Sequence, residues 1–189
     1  MKPVGILALQ GDFEAHRKAV ERAGGRAAEV RTAAELAQVS GLIVPGGEST
    51  TMLKLLDSEG LFEALRQFGL RKPIFGTCAG AILLAKNVLS PSQPSLELMD
   101  IDVERNAYGR QLDSRVVRIE PCGLGGEELE AVFIRAPIIR RAGPGIRVLA
   151  AYCGDPVLVD DGRHLAATFH PELSSDTRIH ELFLKRVEQ

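Results

Sequence analysis

The sequence predicts an α/β fold whose mostly parallel sheet is covered by helices on both faces. Three observations carry that prediction. Short continuous apolar runs stand at residues 4–9, 41–44 and 73–75, each the length of a strand buried on both sides. Amphipathic stretches of helical period separate them, so strands and helices alternate along the first half. Beyond residue 98 short strand signals follow one another, which predicts a β-rich insertion before the last strand and helix.

Taken in order, VGILAL at 4–9 is the first strand. Asp12 caps a helix with Phe13, His16, Ala19, Val20 and Ala23 on its inner face, and Gly24-Gly25 stops it. A strand at Ala27–Val30, a helix over 33–39 and the strand Gly41–Val44 follow, the last ending in Pro45-Gly46-Gly47. Ser49 or Thr50 starts a helix over 52–56, and a second helical piece covers 61–68. The strand at 73–75 runs into Gly76-Thr77-Cys78-Ala79-Gly80 and a helix over 81–86. Residues 88–97, rich in Pro and Ser, read as a surface connection. Strands are expected at Met99–Glu104, 115–119, 132–134, 146–152 and 157–159, with a hairpin turn at Asp161-Gly162. A core strand at 165–169 and a helix over 176–187 complete one domain, residues 1–189, without internal repeats.

The composition excludes several classes. Lys plus Arg number 23 against 25 Asp plus Glu, a net charge of −2. That balance opposes a general nucleic-acid binder or a binder of anionic membranes. Aromatic residues make up 5% with no Trp, which supplies a base-stacking platform poorly. The three cysteines, Cys78, Cys122 and Cys153, are too few and scattered for a disulfide scaffold. They also lack metal-ligand spacing, and neither a metal nor a cofactor is expected. No run reaches the roughly 18 apolar residues of a membrane span, so a cytoplasmic protein is expected.

The stretch 73–80 carries the most chemistry. A buried strand ends, Gly-x-Cys-x-Gly turns sharply, and a helix begins at once. Glycines on both sides give room for a tight elbow that presents Sγ at the sheet edge, near the first free amides of a helix. Read alone, the same pentapeptide also fits a small buried cysteine. Of the histidines, His16 and His180 fall in amphipathic helices and read as structural or surface, and His164 reads as exposed after its turn. His170 ends an apolar strand and is followed by Pro171-Glu172. In extended backbone Glu172 shares its face and can orient the imidazole. An ordinary strand-ending turn is the alternative for this tripeptide. At the end of another strand, Pro45-Gly46-Gly47-Glu48-Ser49-Thr50 can point backbone amides into a pocket as an oxyanion hole does. A phosphate nest is less apt, because the Gly-Lys-Ser/Thr ending is missing and Glu48 repels phosphate.

In its ordered motifs the chain resembles the class I (triad) glutamine amidotransferases, specifically the branch of glutaminase subunits serving pyridoxal 5'-phosphate synthesis. The resemblance rests on LALQGDFEAH at 7–16, GLIVPGGESTTM at 41–52, PIFGTCAG at 73–80, VERNAYGRQ at 103–111, VFIRAP at 132–137 and FHPE at 169–172. It spans essentially the whole chain. GxCxG and HPE are shared by many amidotransferases, whereas PGGEST, ERNxxGRQ and FIRAP are narrower.

The resemblance implies a flavodoxin-like three-layer α/β/α sandwich that hydrolyses L-glutamine to L-glutamate and ammonia through a cysteine thioester. It implies Cys78 as nucleophile, His170 as base and Glu172 as the base's orienter. Glutamine is expected at Gly47, Glu48, Ser49, Arg105, Ile134 and Arg135, with oxyanion-hole amides from Gly47 and Ala79. The implied partner is a (β/α)8-barrel synthase subunit in a large hetero-oligomer, to which ammonia is channelled. Alternatives are the glutaminase subunit of another amidotransferase, such as imidazole glycerol phosphate synthase, or a non-catalytic scaffold of the same fold. A cysteine peptidase differs in turning over peptide rather than free glutamine.

Overall fold

The computed structural model describes residues 2–106 and 114–189. Residues 107–111 of the VERNAYGRQ motif lie outside the described residues. Strands β1 (Val4–Leu7), β2 (Ala27–Val30), β3 (Gly41–Val44) and β4 (Ile74–Thr77) alternate with helices α1 (Phe13–Arg22), α2 (Ala33–Leu36), α3 (Ser49–Ser58) and α4 (Phe62–Gly69). Helix α5 (Ala79–Leu84) follows, then strands β5 (Ala85–Leu89), β6 (Met99–Glu104), β7 (Ser114–Ile119), β8 (Leu129–Ile134) and β9 (Ile138–Ala142). The chain closes with β10 (Arg147–Tyr152), β11 (Asp155–Asp160), β12 (Leu165–Ala167), a 3-10 turn at Pro171–Leu173 and α6 (Arg178–Val187).

The described strands build a seven-stranded sheet in the order β10-β11-β12-β4-β3-β1-β2. Its five strands from β12 to β2 are parallel, and β11 and β10 extend it antiparallel at one edge. The insertion therefore contributes two strands to the main sheet. Its remaining strands form a three-stranded sheet, β5-β6-β9, and a β7-β8 ribbon.

Alternation along the strands sets the layers. Leu7, Leu42, Val44 and Ile74 pack on one face with Met52, Leu56 and Leu65 of α3 and α4. Val4, Ile6, Ile43 and Phe75 pack on the other with Val20 of α1, Ile179 and Phe183 of α6, and Phe133 of β8. This is the expected α/β/α sandwich. Strands β3, β4 and β12 run in the same direction, with Ile43 opposite Phe75 and Phe75 opposite Leu165. Their C-terminal ends therefore deliver Gly46, Cys78 and His170 to one edge, where open parallel sheets place their sites.

Phe75 is fully buried, with ring centroids 5.7 Å from Phe183 and 5.8 Å from His180. Phe75→Ala leaves a cavity between sheet and helices, with an expected cost of about 3–5 kcal/mol. Equilibrium urea unfolding measures it, and a loss below about 1 kcal/mol contradicts this packing.

Several elements differ from the sequence reading. The helix expected over 81–86 ends at Leu84, and residues 85–89 pair with β6 as a strand. Strand β9 was not anticipated; it follows Pro137 and pairs antiparallel with β6. In the 88–97 connection Ser95 and Leu96 are buried, so this stretch is not wholly on the surface. His164, expected to be exposed, is buried: Asp161 Oδ1 accepts from its backbone N–H at 2.6 Å, and its Nδ1 accepts from Ile74 N–H at 3.1 Å. The turn folds the imidazole back over the sheet instead of outward.

Candidate active site

Cys78 stands between β4 and α5 with φ 48° and ψ −104°, a conformation that side-chain-bearing residues rarely adopt and that persists only where the surroundings enforce it. Its N–H donates to the Ala167 carbonyl at 2.8 Å. A Cβ on Gly76 falls 2.5 Å from the Gly80 carbonyl group, and one on Gly80 runs into the Val44 carbonyl. The two glycines are thus the condition for the elbow, as the sequence indicates. Cys78 itself is 7% exposed, and Ala79, which opens α5 beside it, is fully buried.

His170 sits three residues beyond the end of β12 and is pinned by its N–H donating to the Val132 carbonyl at 2.8 Å. Its Nδ1 lies 2.7 Å from Glu172 Oε1. The expected contact exists, but its geometry differs: Pro171 and Glu172 enter a 3-10 turn, and no extended strand places the two on one face. With Nδ1 committed to Glu172, Nε2 is the ring nitrogen left to exchange a proton with Cys78, which lines the same cleft. Burial pushes His170 down, but bonding to Cys78 and Glu172 and their charges outweigh it and lift it to about 10. Burial likewise pushes Glu172 up, while His16 and His170 draw it down further, so it stays ionised.

A cleft of about 180 Å³ opens above this pair. Gly47, Glu48 and Ser49 form one wall, Arg105, Ile134 and Arg135 another, and Cys78 and His170 line it between them. Arg105 is 9% exposed, with Nη2 3.8 Å from Glu48 Oε1. Glu48 caps α3 by accepting from Thr50 N–H at 3.2 Å and the Thr50 hydroxyl at 2.8 Å. Those bonds, opposed in part by desolvation and aided by Arg105 and Arg135, hold its carboxyl below the usual range. Arg135 is exposed and carries φ 43°, turned by the β8 end just ahead of Pro137. The Ile134 carbonyl lies 4.0 Å from Sγ of Cys78. Glu172 and Ala79 stand behind these surfaces and do not line the cleft.

At Gly46 a side chain has no room, because a Cβ meets the His170 ring and lies 3.2 Å from Cys78 Cβ. Gly47 has φ 142°, which favours glycine. The Gly46 carbonyl turns toward Gly11, beyond β1. In a trans peptide the N–H of Gly47 then points away from Gly11. Gln10 braces this segment, its Nε2 donating to the Glu48 carbonyl at 3.1 Å.

Residues that the sequence reading did not place here include Gln93, whose Oε1 accepts from the buried Ser49 hydroxyl at 3.0 Å. They also include His16 and His180, both buried. His16 Nε2 approaches Thr77 Oγ1 at 3.1 Å and Glu172 Oε2 at 3.3 Å, and its Nδ1 lies 3.2 Å from His180 Nε2. His16 falls inside the LALQGDFEAH motif, but its place in an amphipathic helix reads as structural or surface. Among the described residues no three His, Cys, Asp or Glu side chains are grouped to hold a metal ion.

The model of the SNO glutamine amidotransferase family matches residues 6–189. A pyridoxal 5'-phosphate synthase subunit PdxT of Solibacter usitatus is 59% identical, covering 99% of this chain and all of that protein. The subunit of the same name from Koribacter versatilis is 57% identical over 97% of this chain and 95% of its own. A crystal structure of a glutamine amidotransferase superposes with a TM-score of 0.91 at 47% identity, over 98% of this chain and 99% of that one.

Proposed function

The chain belongs to the SNO glutamine amidotransferase family, and from that premise we propose how its cleft works as the glutaminase of a pyridoxal 5'-phosphate synthase. Hydrolysis of L-glutamine to L-glutamate and ammonia is the activity, and a synthase subunit is the partner that uses the ammonia. The observation that carries the residue assignment is one cleft in which Cys78 and His170, with Glu172 bonded behind His170, meet two guanidiniums and the Glu48 carboxylate. That charge set complements a free amino acid. Arg105 and Arg135 meet the α-carboxylate, Glu48 meets the α-ammonium, and Ser49 and the Ile134 carbonyl flank the side chain.

Cys78 gives its proton to His170, and Sγ attacks the side-chain amide carbon. The oxyanion is received by the amides of Gly47 and Ala79, each decisive donor worth about 3–4 kcal/mol. His170 then protonates the departing nitrogen, the C–N bond breaks, and ammonia leaves a γ-glutamyl thioester on Cys78. Water, deprotonated by His170, cleaves the thioester to glutamate and restores the thiol. Glu172 keeps His170 in orientation and stabilises its charged form.

The partner is a (β/α)8-barrel subunit in a large hetero-oligomer, and the reaction belongs in the cytoplasm. Among the described residues no helix is long and apolar enough to cross a membrane. Docking near Gln10 and Asp12 braces the Gly46–Gly47 peptide in its productive orientation. Glutamate release from glutamine, followed by a coupled dehydrogenase assay with and without the synthase subunit, tests the assignment. Turnover in the complex, with kcat lower in the isolated chain, is the expected result. Absence of turnover in the complex overturns it.

Arg105→Ala removes a nearly buried guanidinium from the carboxylate end of the substrate. A charged hydrogen bond of about 1.5–3 kcal/mol corresponds to a KM rise of about 10- to 100-fold with kcat much less changed. Steady-state kinetics in the complex measure it. An unchanged KM removes Arg105 from the binding set.

A further inference from the structure

We propose that His16 is a positioning residue for the triad: its Nε2–H holds the second carboxylate oxygen of Glu172, so that the first stays on His170. The proposal rests on the glutaminase reading above and extends the triad inward by one helix.

Three observations carry it. Glu172 Oε2 is buried without an aligned hydrogen bond among the described residues, and its side chain is 1% exposed. An ionised carboxylate in such a place needs a donor on each oxygen, or it rotates or neutralises. His16 Nε2 lies 3.3 Å from that oxygen, and the His16 side chain is fully buried. The far side of His16 is also occupied, with Nδ1 3.2 Å from His180 Nε2.

The tautomers follow from this chain of contacts. A carboxylate only accepts, so His16 carries its proton on Nε2, shared between Glu172 Oε2 and Thr77 Oγ1 at 3.1 Å. His16 Nδ1 is then an acceptor, and His180 donates to it from Nε2. His180 Nδ1 is left as a bare acceptor, in keeping with its lack of a partner. The reverse assignment turns a lone pair onto the Glu172 charge and buries an unpaired N–H on His180. Burial holds both imidazoles below the ordinary histidine value, His180 at about 3, so both are neutral near pH 7. His16 thus supplies a hydrogen bond without a competing positive charge. Phe75 stands edge-on to His16 with centroids 6.3 Å apart and limits its rotation.

The test compares His16→Asn with His16→Gln in the full complex with the synthase subunit. Both replacements are neutral amides. Asparagine reaches only about as far as Nδ1 and loses Glu172, whereas glutamine reaches about as far as Nε2 and keeps a donor there. His16→Asn is expected to lower kcat by about 10- to 100-fold, the range that loss of an outer hydrogen-bond partner costs at metal-bound histidines. KM for glutamine stays within about twofold, and His16→Gln restores kcat to within about threefold of wild type. Wild-type kcat in His16→Asn, equal losses in both variants, or a loss confined to KM overturns the proposal.

A second measurement needs no variant. The ¹⁵N shifts of the wild-type imidazoles are expected to show His16 protonated on Nε2 and bare on Nδ1. A proton on His16 Nδ1 overturns the proposal even if a variant fails to fold. Failure of the wild-type complex to hydrolyse glutamine is a different result, which overturns the glutaminase reading itself.

Discussion

Cys78→Ala is expected to abolish glutamine hydrolysis in the synthase complex, with kcat down by about 10⁴-fold or more. The loss is large because the remaining groups cannot replace a covalent step: the oxyanion amides then face only water as a nucleophile. Folding is expected to survive, since the substitution removes one sulfur from a residue that is 7% exposed and leaves Gly76 and Gly80 in place. A shift in stability within about 1 kcal/mol is the expectation for so small a change. Cys122 and Cys153 are exposed and free, so their replacement by Ser should leave kcat within about twofold. Residual turnover above about one hundredth of wild type in the alanine variant, measured by glutamate release, contradicts the nucleophile assignment.

Glu172→Gln keeps the size of the side chain and removes its charge. The expected loss in kcat is about 10²- to 10⁴-fold, with glutamine binding much less affected. The pH profile gives the sharper reading. In the wild type His170 is held up to about 10 against burial by Cys78 and Glu172. The imidazolium that protonates the leaving nitrogen is therefore present below that value and lost above it, and the alkaline limb of kcat/KM should lie near it. Without the Glu172 charge, burial opposes the imidazolium with less to offset it, so the limb moves to lower pH. An unmoved limb with wild-type kcat assigns the orientation of His170 to another group.

The parts of the site legible in the sequence are those whose chemistry is local. Gly76 and Gly80 flank Cys78 within five residues, and the steric need for them is visible in the string itself. His170 and Glu172 are two residues apart, so their contact was foreseeable. The 3-10 turn that makes it was not, because Pro171 suits both an extended path and the first position of a helical turn. Arg105, Ile134 and Arg135 have no local signature, and only the motifs around them pointed to the cleft.

His16 lies 156 residues from Glu172, and an amphipathic helix with one polar residue on its inner face looks the same whether that residue packs or positions. The fold was legible where apolar runs and glycine stops agreed, as at Gly41–Val44. It was misread at residues 85–89, where AKNVL has no helix breaker and pairing with β6 decides the conformation. It was also missed at β9, whose Arg140 and Arg141 follow two apolar residues and hide the strand alternation. In both cases tertiary pairing outweighed local propensity.

Cleavage of glutamine through a covalent bond to Cys78 is the step on which the proposed activity turns. Acid quenching of the wild-type complex during turnover with L-glutamine, followed by peptide mass mapping, tests it most directly. A γ-glutamyl adduct is expected on the peptide containing Cys78 and absent from those containing Cys122 and Cys153. Steady glutamate release with no adduct on Cys78, or with an adduct on another cysteine, contradicts it.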